Sequence, residues 1–144
     1  MRLSLNQCTY FATNRLARET EKIANKAYKP TGLAPTYNYI LMTINEEKNI
    51  NLQELSRLMG IAPSTMSRFI KKLENKNLVK KEYGWRELKL QLTVEGRELL
   101  PLVYKCFRQL SSIMSSYLGD STEKERFVEL LNDKNTIFAS KKSN

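Results

Sequence analysis

Apolar positions along the chain follow two rhythms, and the switch between them locates the most informative segment. Leu5, Cys8, Ala12, Leu16, Ile23 and Ala27 recur mostly three or four residues apart, which predicts an amphipathic helix over 3–28. "KPTGLAP" ends it, with Pro30, Gly32 and Pro35 as breakers. "TYNYILMTINEE" carries Tyr37, Ile40, Leu41 and Ile44 on a second helix. Asn51 and Glu54 form a capping-box pair for a short third helix over 52–59. Gly60 closes that helix, and Pro63 suits the first turn of a fourth, where its missing N–H is no loss. Leu55, Leu58, Ile61, Met66, Phe69, Ile70 and Leu73 form the predicted core of this pair, with Ser56 as the small residue where the helices cross.

After Leu78 the period drops to two. Val79, Lys81 and Tyr83, then Leu88, Leu90 and Leu92, alternate on either side of a Gly84-Trp85 turn, which predicts an antiparallel hairpin. Thr93 caps a long helix with Leu99, Val103, Phe107, Leu110, Met114 and Tyr117 on one stripe, and Pro101 is expected to bend it. Gly119 stops that helix, and Asp120 with Glu123 opens a last one carrying Phe127, Leu130, Leu131 and Ile137. The fold expected is mainly α with a small β-hairpin. A helix-turn-helix followed directly by a two-stranded hairpin is the winged-helix arrangement.

Charge sharpens this picture. The 24 Lys+Arg against 15 Asp+Glu give +9, and residues 63–97 hold nine of those cations against four anions. Residues 98–144 are nearly balanced, with seven cations and six anions. A positive field concentrated on one quarter of the chain suits a polyanion. On the fourth helix, Met66, Phe69, Ile70 and Leu73 share one face, while Ser64, Arg68, Lys71, Lys72 and Asn75 point away, flanked by Thr65 and Ser67. Short hydroxyl side chains let the start of a helix approach base edges. Arg68 can hold a guanine bidentately, and Lys71 and Lys72 suit phosphates. Residues 64–72 therefore predict a double-stranded DNA-reading surface.

The stretches "NRLARE", "GLAPTYNYILM", "LSRLMGIAPSTMSRFIKKLENKNLV" and "LQLTVEGRELLP" together resemble the MarR (multiple antibiotic resistance regulator) family of transcription factors. The resemblance implies a homodimer of winged-helix protomers, with terminal helices interlocked and recognition helices in successive major grooves of a palindromic operator. It implies one domain over 1–144: a winged-helix module at 30–93, dimerisation helices at 1–29 and 94–140, and a frayed tail at 141–144. Ser64, Thr65, Ser67, Arg68, Lys71 and Lys72 inherit the DNA-facing role. Counting back from "LT", Arg86 takes the place of the family's wing arginine, aided by Lys89 or Trp85, while Gly84 replaces the aspartate that precedes it in most members. A pair of copies is also expected from the residues themselves, because the apolar stripes of the first and last two helices need a cover.

The resemblance further implies a small aromatic or anionic effector, with Tyr10, Phe11, Asn14, Tyr37 and Tyr39 as candidate lining residues. It makes Cys8 a candidate oxidant sensor, although Cys8 falls about two residues before the family's position. Cys106 lies beside the long helix's stripe and is expected to be structural. With no histidine, no CxxC and no Gly-rich phosphate loop, neither a metal site, a cofactor nor an enzyme is expected. No apolar run approaches the ~18 residues of a membrane span, and the N-terminus does not read as a signal peptide, so a cytoplasmic protein is expected. The alternative function is a winged helix that binds protein instead of reading DNA, and such a module needs no cation cluster on its exposed helix.

Overall fold

The computed structural model describes residues 3–84 and 86–141. Trp85 in the predicted hairpin turn, and the tail from residue 142, lie outside the described residues. In chain order the elements are α1 (Leu3–Asn6), α2 (Thr9–Ala27), a 3-10 turn (Lys29–Thr31), α3 (Pro35–Glu46), α4 (Leu52–Met59), α5 (Pro63–Asn75), β1 (Val79–Tyr83), β2 (Leu88–Leu92), α6 (Val94–Leu118) and α7 (Ser121–Ser140). The chain divides into two compact units between Phe107 and Arg108.

The first departure from the sequence reading is at the start. The single helix expected over 3–28 is broken at Gln7 and Cys8, and Cys8 takes an extended backbone (φ −90°, ψ 114°) as the N-cap of α2. Asn6, Cys8 and Thr9 are weak helix formers, and an apolar spacing that continues past a two-residue break does not reveal it.

The core of the first unit is built from Ile40 and Leu41 of α3, Leu55 of α4, Met66, Ile70 and Leu73 of α5, Val79 and Leu90 of the hairpin, and Val103 of α6. Leu58, expected in this core, is half exposed. The buried face of α4 is centred between Leu55 and Ser56, which leaves Leu58 about 110° round the helix. On α6 the buried positions are Gly96, Leu100, Val103, Cys106 and Leu110, whereas Phe107 and Tyr117 of the expected stripe are exposed. The buried track thus begins at Gly96 and takes in Cys106.

β1 and β2 pair antiparallel, with Val79 opposite Leu92 and Tyr83 opposite Leu88. Val79 is the only residue of β1 that is buried. Thr93 fastens the end of this hairpin to α6. Its Oγ1 accepts from Gly96 N at 3.0 Å and donates to the Asn77 carbonyl at 2.6 Å, and its N–H donates to the Leu78 carbonyl at 3.1 Å. Gly96 is buried against that same carbonyl.

In the second unit, Asp120 Oδ1 accepts from Glu123 N at 2.8 Å and starts α7, as the capping-box reading expects. Lys124 Nζ donates to Ser111 Oγ. No residue of α7 is buried, and Leu130, Ile137 and Phe138 are exposed.

Candidate nucleic-acid interface

Two helix ends aim α5. Gly60, in the left-handed region (φ 66°), terminates α4 with a pair of backbone bonds: Ile61 N to the Ser56 carbonyl at 3.0 Å and Gly60 N to the Arg57 carbonyl at 3.3 Å. This satisfies carbonyls that a helix end would otherwise orphan and turns the chain sharply. Ala62 is the N-cap of α5 and Pro63 its first residue. Ser56 is buried, so its small side chain permits the close crossing expected from the sequence. At the far end Asn77 (φ 58°) takes the left-handed position, with Leu78 N bonded to the Leu73 carbonyl at 3.0 Å.

These ends fix which side of α5 is inside. Met66, Ile70 and Leu73 are buried, and Phe69 is half buried with its ring edge-on to Tyr37, centroids 5.4 Å apart. Ser64, Ser67, Arg68, Lys71, Lys72 and Asn75 are all exposed, and Thr65 is half buried at the flank. Among the described residues, Arg68, Lys71 and Lys72 form no ion pair, whereas Glu74 on the same helix pairs with Lys81 of β1 at 3.4 Å. The first turn of α5 carries no acidic residue and no side chain caps it. The outward face is therefore a cationic strip with its carboxylate drawn aside.

The two wing candidates differ. Arg86 is exposed in the turn between the strands. Lys89 is half buried, and its Nζ donates to Glu87 Oε2 at 2.6 Å. That ammonium and the Asn51 amide hold the Glu87 carboxyl below its ordinary 4.5, while the carboxylate raises Lys89. Asn51 Nδ2 reaches Glu87 Oε2 at 3.3 Å and Glu54 Oε1 at 3.1 Å, and Asn51 Oδ1 accepts from Glu54 N at 2.8 Å. Sequence reading found the Asn51–Glu54 cap but not its link to Glu87. Polar residues 36 apart on different elements carry no periodic signal.

The effector candidates fall into two groups. Phe11 lines a shallow groove of about 320 Å³ together with Leu5, Arg15, Leu16 and Glu19. Tyr10 is exposed, and Asn14 Nδ2 donates to its carbonyl at 2.7 Å. Tyr37 and Tyr39 lie on α3 and do not line that groove. Tyr37 packs on Phe69, and Tyr39 is edge-on to Tyr28 and Phe107, with centroids 5.6 and 6.3 Å away. Cys8 is half buried and Cys106 is buried; both are free thiols. Among the described residues no helix is long and apolar enough to cross a membrane, and no group of three His, Cys, Asp or Glu is poised for a metal.

The family model described as MarR matches residues 35–83, from the start of α3 to the end of β1. Over those residues the chain is similar to the MarR family. Among curated MarR-type relatives, the HTH-type transcriptional regulator SarZ of Staphylococcus epidermidis is 29% identical over 100 residues, spanning 67% of this chain and 66% of that protein. The M. tuberculosis transcriptional regulator MosR, solved in complex with DNA, superposes with a TM-score of 0.76 at 23% identity, covering 90% of this chain and 97% of MosR. CouR from Rhodococcus jostii RHA1, solved with p-coumaroyl-CoA, gives 0.75 at 22% identity, with 94% of each chain covered. At these identities the structural likeness is one of fold, and it is the mostly helical MarR winged helix with a two-stranded hairpin that the sequence pattern predicts.

Proposed function

We propose that this protein is a cytoplasmic, non-catalytic transcriptional regulator that reads double-stranded DNA as a homodimer. In this reading α5 enters the major groove at each half of a palindromic operator, and the bound dimer represses by occupancy. The single observation that carries the proposal is the outer face of α5, where Arg68, Lys71 and Lys72 are exposed beside the small hydroxyls of Ser64 and Ser67 and, among the described residues, form no ion pair. A 13-residue helix is about 20 Å long, enough to lie in a groove about 12 Å wide. The uncapped start of α5 presents its first N–H groups and the positive end of its dipole to a phosphate. The DNA-bound MosR structure supports the same use of the fold.

The domain plan supports two copies. α2 and α7 contain no buried residue, yet Leu16 on α2 and Leu130, Leu131, Ile137 and Phe138 on α7 are exposed. A second copy of this chain is the cover we assign to 1–29 and 94–140. Two-fold symmetry then sets the reading helices about 34–36 Å apart, one turn of the duplex. The double variant Leu130→Glu/Leu131→Glu is expected to sediment as a monomer, and an unchanged mass at working concentration removes the α7 interface.

Release by a small aromatic or anionic ligand completes the proposal, supported by the ligand-bound CouR structure and by the Phe11 groove. An effector acts only through unequal affinity for the DNA-compatible and incompatible arrangements, typically 1–3 kcal/mol of coupling. The deciding experiment is selection of bound sequences from a random duplex pool, followed by a salt titration of the selected site. A palindromic motif is expected, with log affinity falling by about 0.9 per neutralised phosphate against log salt. A flat salt response with no enriched motif points instead to the protein-binding winged helix.

A further inference from the structure

The wing is held by apolar packing at its base and by polar contacts farther out. Near its base, Val79, Leu90 and Leu92 are buried, and Leu90 N donates to the Ile50 carbonyl at 2.9 Å. Beyond that β1 is exposed from Lys80 to Tyr83 and is tied to α5 by the Lys81–Glu74 ion pair at 3.4 Å. A two-stranded ribbon without a core is marginal by itself in water. The distal attachment is polar. Glu87 immediately precedes β2, and its Oε2 accepts from Lys89 Nζ at 2.6 Å and from Asn51 Nδ2 at 3.3 Å. Asn51 is the N-cap of α4, the helix that crosses beneath α5. Its Oδ1 accepts from Glu54 N, which fixes the amide so that its N–H₂ group faces Glu87. The turn itself is closed by Gly84 N bonded to the Glu87 carbonyl at 2.8 Å.

We infer that Glu87 is a positioning residue: its carboxylate latches the distal end of the wing to the N-cap of α4 through Asn51, so that the wing's angle to a duplex is set by the helix-turn-helix before DNA arrives. An anion at the edge of a strongly cationic segment opposes binding to a polyanion. The latch explains its presence, because the charge is spent inward on Lys89 and Asn51. It also means that Lys89 acts on the wing's geometry through Glu87. The inference about DNA rests on the proposed function, whereas the latch itself does not.

A donor–acceptor swap tests it. Asn51→Asp retains an N-cap acceptor of equal quality but sets a second carboxylate against Glu87. Combining it with Glu87→Gln restores a donor opposite an acceptor with polarity reversed, and the pair returns to the net charge of the natural protein. In the free chain, order parameters of the Gly84 and Leu88 amides are expected to fall from about 0.85 to below about 0.6 in Asn51→Asp and to recover in the double variant. On the selected duplex, Asn51→Asp is expected to lose about three- to tenfold in preference at the flanking positions, leaving the central motif intact, and the swap recovers that preference. If net charge alone mattered, the swap and the natural protein would match, but amide order would not change in Asn51→Asp. Unchanged order in Asn51→Asp, or no recovery in the swap, overturns the latch. A natural protein that binds no duplex overturns the DNA reading alone, because the amide measurements still decide the latch.

Discussion

Replacing Gly96 with alanine is expected to lower the unfolding free energy by about 1–3 kcal/mol net, although the residue lies in a helix where alanine is intrinsically preferred by about 1 kcal/mol. A Cβ on Gly96 would point straight into the Leu78 carbonyl oxygen, well inside van der Waals contact, with the Leu92 Cβ at 3.4 Å. The oxygen cannot swing aside freely, because it accepts the Thr93 N–H that ties the start of β1 to the head of α6. Overpacking of this kind costs about 1–3 kcal/mol, and losing the Thr93 bond adds about 1. The sum exceeds the gain in helix propensity. Urea denaturation of the two proteins checks it: a midpoint that is unchanged or higher shows that α6 slides away from Leu78 without penalty. Gly60→Ala is a useful contrast. Its neighbourhood is open, so only the left-handed backbone is penalised, by about 1–2 kcal/mol.

This pair of glycines also shows what was legible in the sequence. Gly60 was readable because a left-handed helix end is a local demand, and local demands have local signatures. The same holds for the Asn51 and Asp120 caps, Pro63 at the start of α5, and the change to a two-residue period after Leu78, all of which the structure bears out. Gly96 belongs to the "LT-x-x-G" stretch that contributed to the family resemblance, and its reason is now physical: Thr93 staples the wing to α6, and the glycine lets α6 approach. Apolar spacing did less well wherever two faces compete. The fine phase of α4 and α6, which exposes Leu58 and Phe107 and buries Cys106, depends on what lies opposite each helix. The inner and outer faces of α5 were legible because cations and apolar residues do not share positions. The Glu87–Asn51 contact was not, since nothing in either residue's neighbourhood encodes the other.

Arg68→Ala and Lys72→Ala are expected to fail in different ways on the selected operator. Both residues are exposed, and neither is diverted by a carboxylate among the described residues. Arg68 sits one turn after Ser64, on the face opposite the buried Met66 and Ile70, where a planar guanidinium can meet the edge of a guanine with two parallel bonds. Removing it should cost about 1–3 kcal/mol against the preferred base, roughly five- to 150-fold, and leave that position of the motif nearly random. Lys72 lies a further turn along, where a flexible point charge suits the phosphate backbone. Its loss should weaken every duplex by a similar factor and reduce the salt slope by about 0.9. The salt slope separates the two roles, because a neutral base contact releases no counterion from a phosphate. Anisotropy titrations on the operator and on single-base variants at two salt concentrations measure all of these quantities. Equal loss of base preference in both variants means that α5 lies in the groove in another register, with Lys71 or Lys72 at the bases.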